Sequence, residues 1–193
     1  MNIIVQEGSF SKSLCFLFSG KAGVGKTYCS QLLEQQIQKL EFSYFRSPFA
    51  YGVKDTARYM GWDGEKDDKG RKLLQDIGKI GRRYDKNLWV KQAFARIESD
   101  TAYPHSFIII DDWRFRNEYS YIKNQLPLYK PIRIRVIAPE REILKNTKMY
   151  NDVSETELDN AKFDYVISNI EDKGAFEQVK QILYSEIMKN IRS

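Results

Sequence analysis

The sequence predicts an α/β fold in which helices cover a parallel sheet. Three observations carry this prediction. A continuously apolar run at residues 14–18 leads into a Gly-rich turn, a helical pattern follows the turn, and further short apolar runs alternate with helical patterns. An apolar run without polar alternation is typical of a strand buried on both faces. Strands that are separated by helices are joined by crossovers, which make neighbouring strands parallel.

Five segments have the length and apolar content of strands, and they lie at residues 14–18, 42–45, 107–110, 132–137 and 165–167. The first helix has one apolar face, which is made by Cys29, Leu32, Leu33, Ile37 and Leu40. A closing helix has a similar face, made by Phe176, Val179, Ile182, Leu183 and Ile187. The 193 residues therefore predict one domain around a five-stranded, mainly parallel sheet.

A long helical insertion is expected between the second and third strands, at residues 46–100. Its two apolar stripes are formed by Leu73, Leu74, Ile77 and Ile80, and by Trp89, Val90, Ala93, Phe94 and Ile97. Within it, the Gly-rich and charged residues 61–70 predict a mobile surface loop. The charged segment 139–159 predicts a short helical lid, and residues 1–13 fit an added strand or a loose arm equally well.

The composition excludes several classes of protein. The chain has 31 Lys and Arg against 26 Asp and Glu, with only two cysteines and a single histidine, His105. Cys15 and Cys29 are expected to be core thiols in a reducing compartment, and a zinc site is excluded, so any metal should be bound by oxygen. No apolar run is long enough to span a bilayer, and a cytoplasmic protein is expected, in the host cytoplasm if a phage encodes it.

The strongest functional motif lies at residues 20–27, whose sequence GKAGVGKT fits the pattern G-x-x-x-x-G-K-[ST] between a strand and a helix. In such a loop, small residues let main-chain N–H groups point at a triphosphate, as expected for Gly20, Ala22, Gly23, Val24 and Gly25. Lys26 would reach the outer phosphates, and the Thr27 hydroxyl would bind Mg²⁺. The motif therefore predicts ATP and Mg²⁺ as cofactors.

Two carboxylates follow the apolar strand at residues 107–110. Asp111 or Asp112 is expected in the metal site, because a nucleotide site of this kind requires an acidic group near Mg²⁺. Capping of a following helix is the alternative role for either residue. The position of the strand does not distinguish the two carboxylates.

The insertion mixes cationic and aromatic residues, which predicts a second anion site. Arg46, Lys54, Arg71, Arg82 and Arg83 are interleaved with Phe49, Tyr51, Tyr84 and Trp89, and Arg114 and Arg116 follow the acidic pair. Guanidinium groups suit a phosphate, and flat rings suit a base. Arg133, Arg135 and Arg141 are candidates to close on a transferred phosphoryl group, although a plain surface role fits each of them as well.

Several ordered motifs resemble those of the phage-type deoxynucleoside monophosphate kinases, which are relatives of adenylate and guanylate kinases. The matching pieces are the phosphate loop, SPFAYGVKD, GRKLLQDIG with Arg83 and Trp89, DDWRFRNE, VSETEL and FDYVISN. The resemblance implies an acceptor site at Phe49, Lys54, Arg71, Gln75, Arg83, Trp89, Asp112 and Arg114. It further implies metal binding by Thr27 and Asp112, and Asn169 beside the donor base.

The expected reaction is therefore transfer of the γ-phosphoryl group of ATP to a (deoxy)nucleoside monophosphate, with Lys26, Arg114 and Arg141 as the catalytic residues. Kinases of phosphomevalonate or dephospho-coenzyme A type are alternatives, as is a nucleotide-dependent switch or nucleic-acid-associated ATPase. The expected partner is the small-molecule monophosphate, and a homodimer is compatible with the sequence. A membrane is not expected, and a nucleic acid is disfavoured because the basic residues form no continuous block.

Overall fold

Five strands and seven helices make up the computed structural model, which describes residues 10–100, 105–141, 152–170 and 172–191. The strands are β1 (Ser13–Ser19), β2 (Tyr44–Arg46), β3 (Phe107–Ile110), β4 (Tyr129–Ile137) and β5 (Tyr165–Ser168). The helices are α1 (Lys26–Lys39), α2 (Ala50–Tyr59), α3 (Asp68–Tyr84), α4 (Leu88–Glu98), α5 (Arg116–Gln125), α6 (Val153–Thr156) and α7 (Asp172–Ile191).

The sheet has the order β2-β3-β1-β4-β5, and all four strand pairs are parallel. This confirms the predicted α/β fold and its five-stranded parallel sheet. Two strands differ from the expected bounds by more than one residue: β4 begins three residues earlier, at Tyr129, and β2 begins two residues later and includes Arg46. Phe42 explains the shift of β2, because it packs into the core ahead of the strand instead of pairing within it.

The buried central strand β1 separates two apolar layers, because successive side chains of a strand point to opposite faces. Leu14, Phe16 and Phe18 pack with residues of α1 and α7 on one face. Cys15 and Leu17 face the layer that contains residues of α2, α4 and α5. The two cysteines are buried and free, and burial raises the pKa of the Cys29 thiol to about 11, so both belong to the core.

The segment between β2 and β3 consists of the three helices α2, α3 and α4. In the region of the predicted lid, the structure contains a short 3₁₀ turn at Pro139–Arg141 and the helix α6, and residues 142–151 lie outside the described part. Most of the unplaced segment 1–13 also lies outside it. None of the helices in the described ranges combines the length and apolar content needed to cross a bilayer.

Candidate active site

A cleft of about 440 Å³ opens at the carboxyl ends of β1 and β3. These strands are neighbours at the point where the chain order of the sheet reverses, which is where ligands bind in open α/β sheets. Residues of the Gly-rich loop, the start of α2, the inner face of α3 and the short helix α6 line the cleft. Ala22, Gly23, Lys26 and Thr27 form the loop side of its wall.

The Gly-rich loop joins β1 to α1 through conformations that require glycine. Gly25 has a φ of 91°, and a Cβ atom at this position would lie 2.2 Å from the amide nitrogen of Asn169. Asn169 is buried, and its Nδ2 donates to the Val24 carbonyl oxygen at 2.9 Å. Asn169 therefore braces the loop and is not among the residues that line the cleft, and its place beside the donor base stays a prediction.

Lys26 begins helix α1 and is folded over its own loop. Its Nζ donates to the carbonyl oxygens of Gly20 at 2.8 Å and Lys21 at 2.9 Å. The pKa of Lys26 is lowered to about 8, first by burial and then by the nearby Arg114 guanidinium, while Glu155 and the two aspartates oppose this shift. Lys26 therefore brings a positive charge to the loop, and its Nζ can exchange the two carbonyl oxygens for phosphate oxygens.

This pKa predicts how phosphate binding depends on pH. Only the protonated lysine attracts an anion, so the Kd of ADP, measured without Mg²⁺, should be constant between pH 7 and about 8. Above that range it should rise by up to about tenfold per pH unit. Calorimetric titrations at several pH values check this. In a Lys26→Arg variant the guanidinium stays charged, and the rise should vanish. A wild-type Kd that stays constant to pH 10 would contradict the assignment.

The carboxylate that reaches the phosphate loop belongs to Asp111, not to Asp112. Its Oδ2 accepts hydrogen bonds from the Thr27 hydroxyl and from Arg46, both at 2.9 Å. The expectation of Thr27 and Asp112 as the metal pair is therefore corrected to Thr27 and Asp111. In the described ranges no three or more His, Cys, Asp and Glu residues form a metal-binding cluster. Mg²⁺ prefers oxygen ligands, and this hydroxyl and carboxylate would hold it together with phosphate oxygens and water.

Asp112 instead ties helix α2 to the end of β3. Its two carboxylate oxygens accept the main-chain N–H groups of Phe49 and Ala50, each at 2.8 Å. Burial raises the pKa of Asp112, and the neighbouring Asp111 adds to this rise, while the two N–H groups oppose it. This is the capping role that the sequence left open, here for a helix that precedes the aspartate in the chain.

Three cations of the insertion lie close to one another in the cleft. Lys54 on α2, Lys66 in the loop before α3, and Arg71 on α3 all line it. The pKa of Lys66 is lowered, first by the charge of Lys54, then by burial and by Arg71, which shows that the three charges lie close together. No carboxylate in the described ranges forms an ion pair with any of them.

Aromatic side chains form the wall beside these cations. Phe49 and Trp89 are buried and line the cleft together with Gln75. The Trp89 indole packs against Gly81 and donates to the Gly78 carbonyl oxygen at 3.1 Å, which fixes the plane of its ring. The two other rings named above lie elsewhere: Tyr84 is 87% exposed, and Tyr51 stacks beneath Arg96 outside this cleft.

Of the predicted arginines, Arg114 lies in the cleft and Arg83 and Arg141 do not. Arg83 faces solvent, while its neighbour Arg82 lines the cleft and lies over the Phe115 ring, with its guanidinium carbon 4.1 Å from the centroid. The two arginines differ because successive side chains of a helix point about 100° apart around its axis. Arg141 is exposed and donates to the Ile170 carbonyl oxygen at 3.1 Å, so a catalytic role for it is not supported.

The charged cleft residues that the sequence analysis did not single out are Lys66, Lys79, Glu118, Asp152 and Glu155. Burial raises the pKa of Glu118 to about 8, although its Oε2 accepts the main-chain N–H groups of Arg114 and Phe115. The motifs DDWRFRNE and VSETEL contain the two glutamates, but a sequence motif does not show that α6 folds back onto the phosphate loop.

The sheet order, the loop between β1 and α1 and the acidic end of β3 define an α/β protein of the P-loop nucleoside-triphosphate-binding fold. No protein-family model matches the chain. A curated relative, the uncharacterized protein ORF77 of ictalurid herpesvirus 1 (strain Auburn), is 27% identical over 149 residues. The match covers 77% of this chain and 60% of that protein, so this chain matches less than two thirds of the relative's length.

Solved structures with a similar chain course include three small-molecule kinases. The Mycobacterium tuberculosis APS kinase CysC in complex with AMPPNP and APS has a TM-score of 0.46 and 11% identity, covering 90% of this chain and 96% of that one. Shikimate kinase from Bacteroides thetaiotaomicron has a TM-score of 0.47 and 12% identity, covering 91% of this chain and 98% of that one. A gluconokinase from Sinorhizobium meliloti has a TM-score of 0.43 and 9% identity, covering 93% of this chain and 98% of that one. Similarity at this level does not specify a substrate for this chain.

Proposed function

We propose that this protein is a kinase that transfers the γ-phosphoryl group of ATP to a deoxynucleoside or nucleoside monophosphate. The observation that carries the proposal is the pair of anion-binding groups that line one cleft. The first group consists of the main-chain amides of the phosphate loop with Lys26, and the second consists of Lys54, Lys66 and Arg71. A triphosphate donor and a phosphorylated acceptor would each neutralise one of these groups.

The coarser part of the proposal, a P-loop enzyme with a small phosphorylated acceptor, is supported by the second group of cations. They lack carboxylate partners in the described ranges, and an uncompensated cluster of like charges is costly unless a ligand supplies the opposite charge. The finer part, a nucleoside acceptor, is supported by the flat side chains of Phe49 and Trp89 beside that cluster. The motif resemblance to the deoxynucleoside monophosphate kinases favours the same acceptor.

In this reaction the acceptor's own phosphate oxygen attacks the γ-phosphorus atom, a new P–O bond forms, and the bond to ADP breaks. The protein needs no nucleophile of its own, and its task is to align the two phosphates and to stabilise the charge that spreads between them. Lys26 and Arg114 are the catalytic side chains that the cleft offers for this task. Mg²⁺, held by Thr27 and Asp111, would neutralise charge on the donor phosphates.

A panel of acceptors tests this function. The protein is incubated with ATP and Mg²⁺ and, in turn, with each deoxy- and ribonucleoside monophosphate, phosphomevalonate, dephospho-coenzyme A and single-stranded DNA. We expect ADP release that depends on a monophosphate and yields one nucleoside diphosphate per ADP. Turnover with only phosphomevalonate or dephospho-coenzyme A would overturn the nucleoside acceptor. Hydrolysis that DNA stimulates, without any acceptor product, would overturn the kinase itself.

A further inference from the structure

Glu155 on α6 brings a carboxylate to the phosphate loop itself. The residue is 9% exposed and lines the cleft. Its Oε2 accepts a hydrogen bond from the main-chain N–H of Ala22 at 2.9 Å, and its Oε1 contacts the guanidinium group of Arg114. Both partners are groups that bind anions, and both lie where the proposed donor phosphates would lie.

The contacts around Glu155 hold α6 in this place. Lys21 donates through Nζ to the Glu155 carbonyl oxygen at 2.8 Å and to Asp159 at 2.7 Å. Arg114 also donates to the Ser154 carbonyl oxygen at 3.0 Å. The backbone of α6 is thus fixed by contacts that do not involve the Glu155 carboxylate, so the carboxylate can leave the loop without the helix detaching.

A carboxylate and a phosphate compete for the same partners, because both are anions that accept hydrogen bonds from amides and guanidinium groups. The negative charge of Glu155 also repels a bound polyphosphate, and this repulsion is strong in a partly buried site. The repulsion between a bound nucleotide and the Glu155 carboxylate at the loop therefore increases with each phosphate that the nucleotide carries.

We propose that Glu155 is a displaceable anion that sets the affinity of the site for the donor: it competes with the donor phosphates for the Ala22 amide and Arg114, and the donor phosphates replace it. Its departure frees Arg114 from the Glu155 carboxylate, while the hydrogen bond to the Ser154 carbonyl oxygen keeps the guanidinium group at the cleft. This inference rests on the proposed function only in taking the donor to be a nucleoside triphosphate. Glu155 acts through Arg114 and the loop, so it is a positioning residue.

The test compares Glu155→Gln with Glu157→Gln, which removes the same charge from the end of the same helix. Glu157 accepts the main-chain N–H of Arg116 at 2.8 Å and does not line the cleft. The Kd values of AMP, ADP and ATP are measured by calorimetry without Mg²⁺ and without acceptor. For E155Q we expect Kd to fall about tenfold for ATP, less for ADP and least for AMP. For E157Q we expect no change.

Unchanged or weaker ATP binding in E155Q would overturn the inference, as would an equal gain for all three nucleotides, since a purely structural role does not depend on the number of phosphates. If E155Q fails to fold, Glu155→Asp replaces it: its carboxylate is one methylene group further from the Ala22 amide but keeps its charge, so a smaller gain in ATP affinity is expected, and no gain would overturn the inference. Because no acceptor is present, these results are independent of the acceptor panel. Failure of the wild type to bind ATP would overturn both proposals.

Discussion

Replacing Lys26 by alanine is expected to lower kcat/KM for phosphoryl transfer by about 10³-fold while the protein keeps its fold. The Nζ atom bonds only to two loop carbonyl oxygens, so its loss removes little from the folded structure. In the reaction, by contrast, Lys26 is the phosphate-loop lysine that lines the cleft among the described residues, so its loss removes a positive charge from the donor site. Initial rates at saturating acceptor, together with a thermal melting curve, measure the two effects separately.

Lys39 provides the matched control, because it lies at the exposed end of the same helix α1 and does not line the cleft. Lys39→Ala should leave the rate within about twofold of wild type, as expected for a surface change far from the site. If Lys26→Ala retained more than a tenth of the wild-type rate, the phosphate loop would not be the donor site.

Replacing Arg71 by alanine is expected to raise the KM for the acceptor by about 10- to 100-fold, while the KM for ATP stays nearly constant. A hydrogen bond to a charged group is worth about 1.5–3 kcal/mol, which corresponds to this range. Lys66→Ala should have an effect in the same direction, because both residues belong to the unpaired cation group. Steady-state kinetics with each substrate varied in turn separate the two KM values.

Arg83→Ala is the control for this prediction. Arg83 lies on the same helix α3, carries the same charge and faces solvent outside the cleft. We expect its acceptor KM to stay within about twofold of wild type. If Arg83→Ala raised the acceptor KM as strongly as Arg71→Ala, the effect would be one of general charge. The assignment of the acceptor site to Lys54, Lys66 and Arg71 would then be wrong.

The sequence predicts the sheet and the phosphate loop well because both depend on local signals. The runs at residues 14–18 and 107–110 are apolar without interruption, and the structure buries them on both faces. The loop motif fixes its own conformation through its glycines, so the position of Lys26 follows from the residues beside it. Helix α3 is likewise predicted by its apolar stripe, although Ile80, which was assigned to that stripe, is 63% exposed.

Predictions of single site residues fail where two adjacent residues of the same charge point in different directions. Asp111 and Asp112 are adjacent at the end of a strand, and the register of β3 against β1 decides which of them meets Thr27. Arg82 and Arg83 are adjacent on a helix, and packing of α3 against Trp89 sets which one lines the cleft. In both pairs the two residues have the same chemistry, so the sequence does not show which of them lies in the site.

The remaining cleft residues depend on tertiary contacts. Lys66 lies in the Gly-rich segment predicted to be a mobile loop, but Asp67 of that segment caps α3 by accepting the Gly70 N–H at 2.7 Å. The cap holds the segment beside α3 and brings Lys66 near Lys54 and Arg71. Glu155 reaches the phosphate loop only because the chain returns there more than 130 residues later.

The central claim is that donor and acceptor phosphates bind at the same time in one cleft. The most direct test is the binding of a bisubstrate compound in which two nucleosides are joined by five phosphates. We expect one molecule to bind per chain, at least about tenfold more tightly than ATP, and both Lys26→Ala and Arg71→Ala to weaken it. Binding no tighter than ATP, with Arg71→Ala having no effect, would contradict the claim.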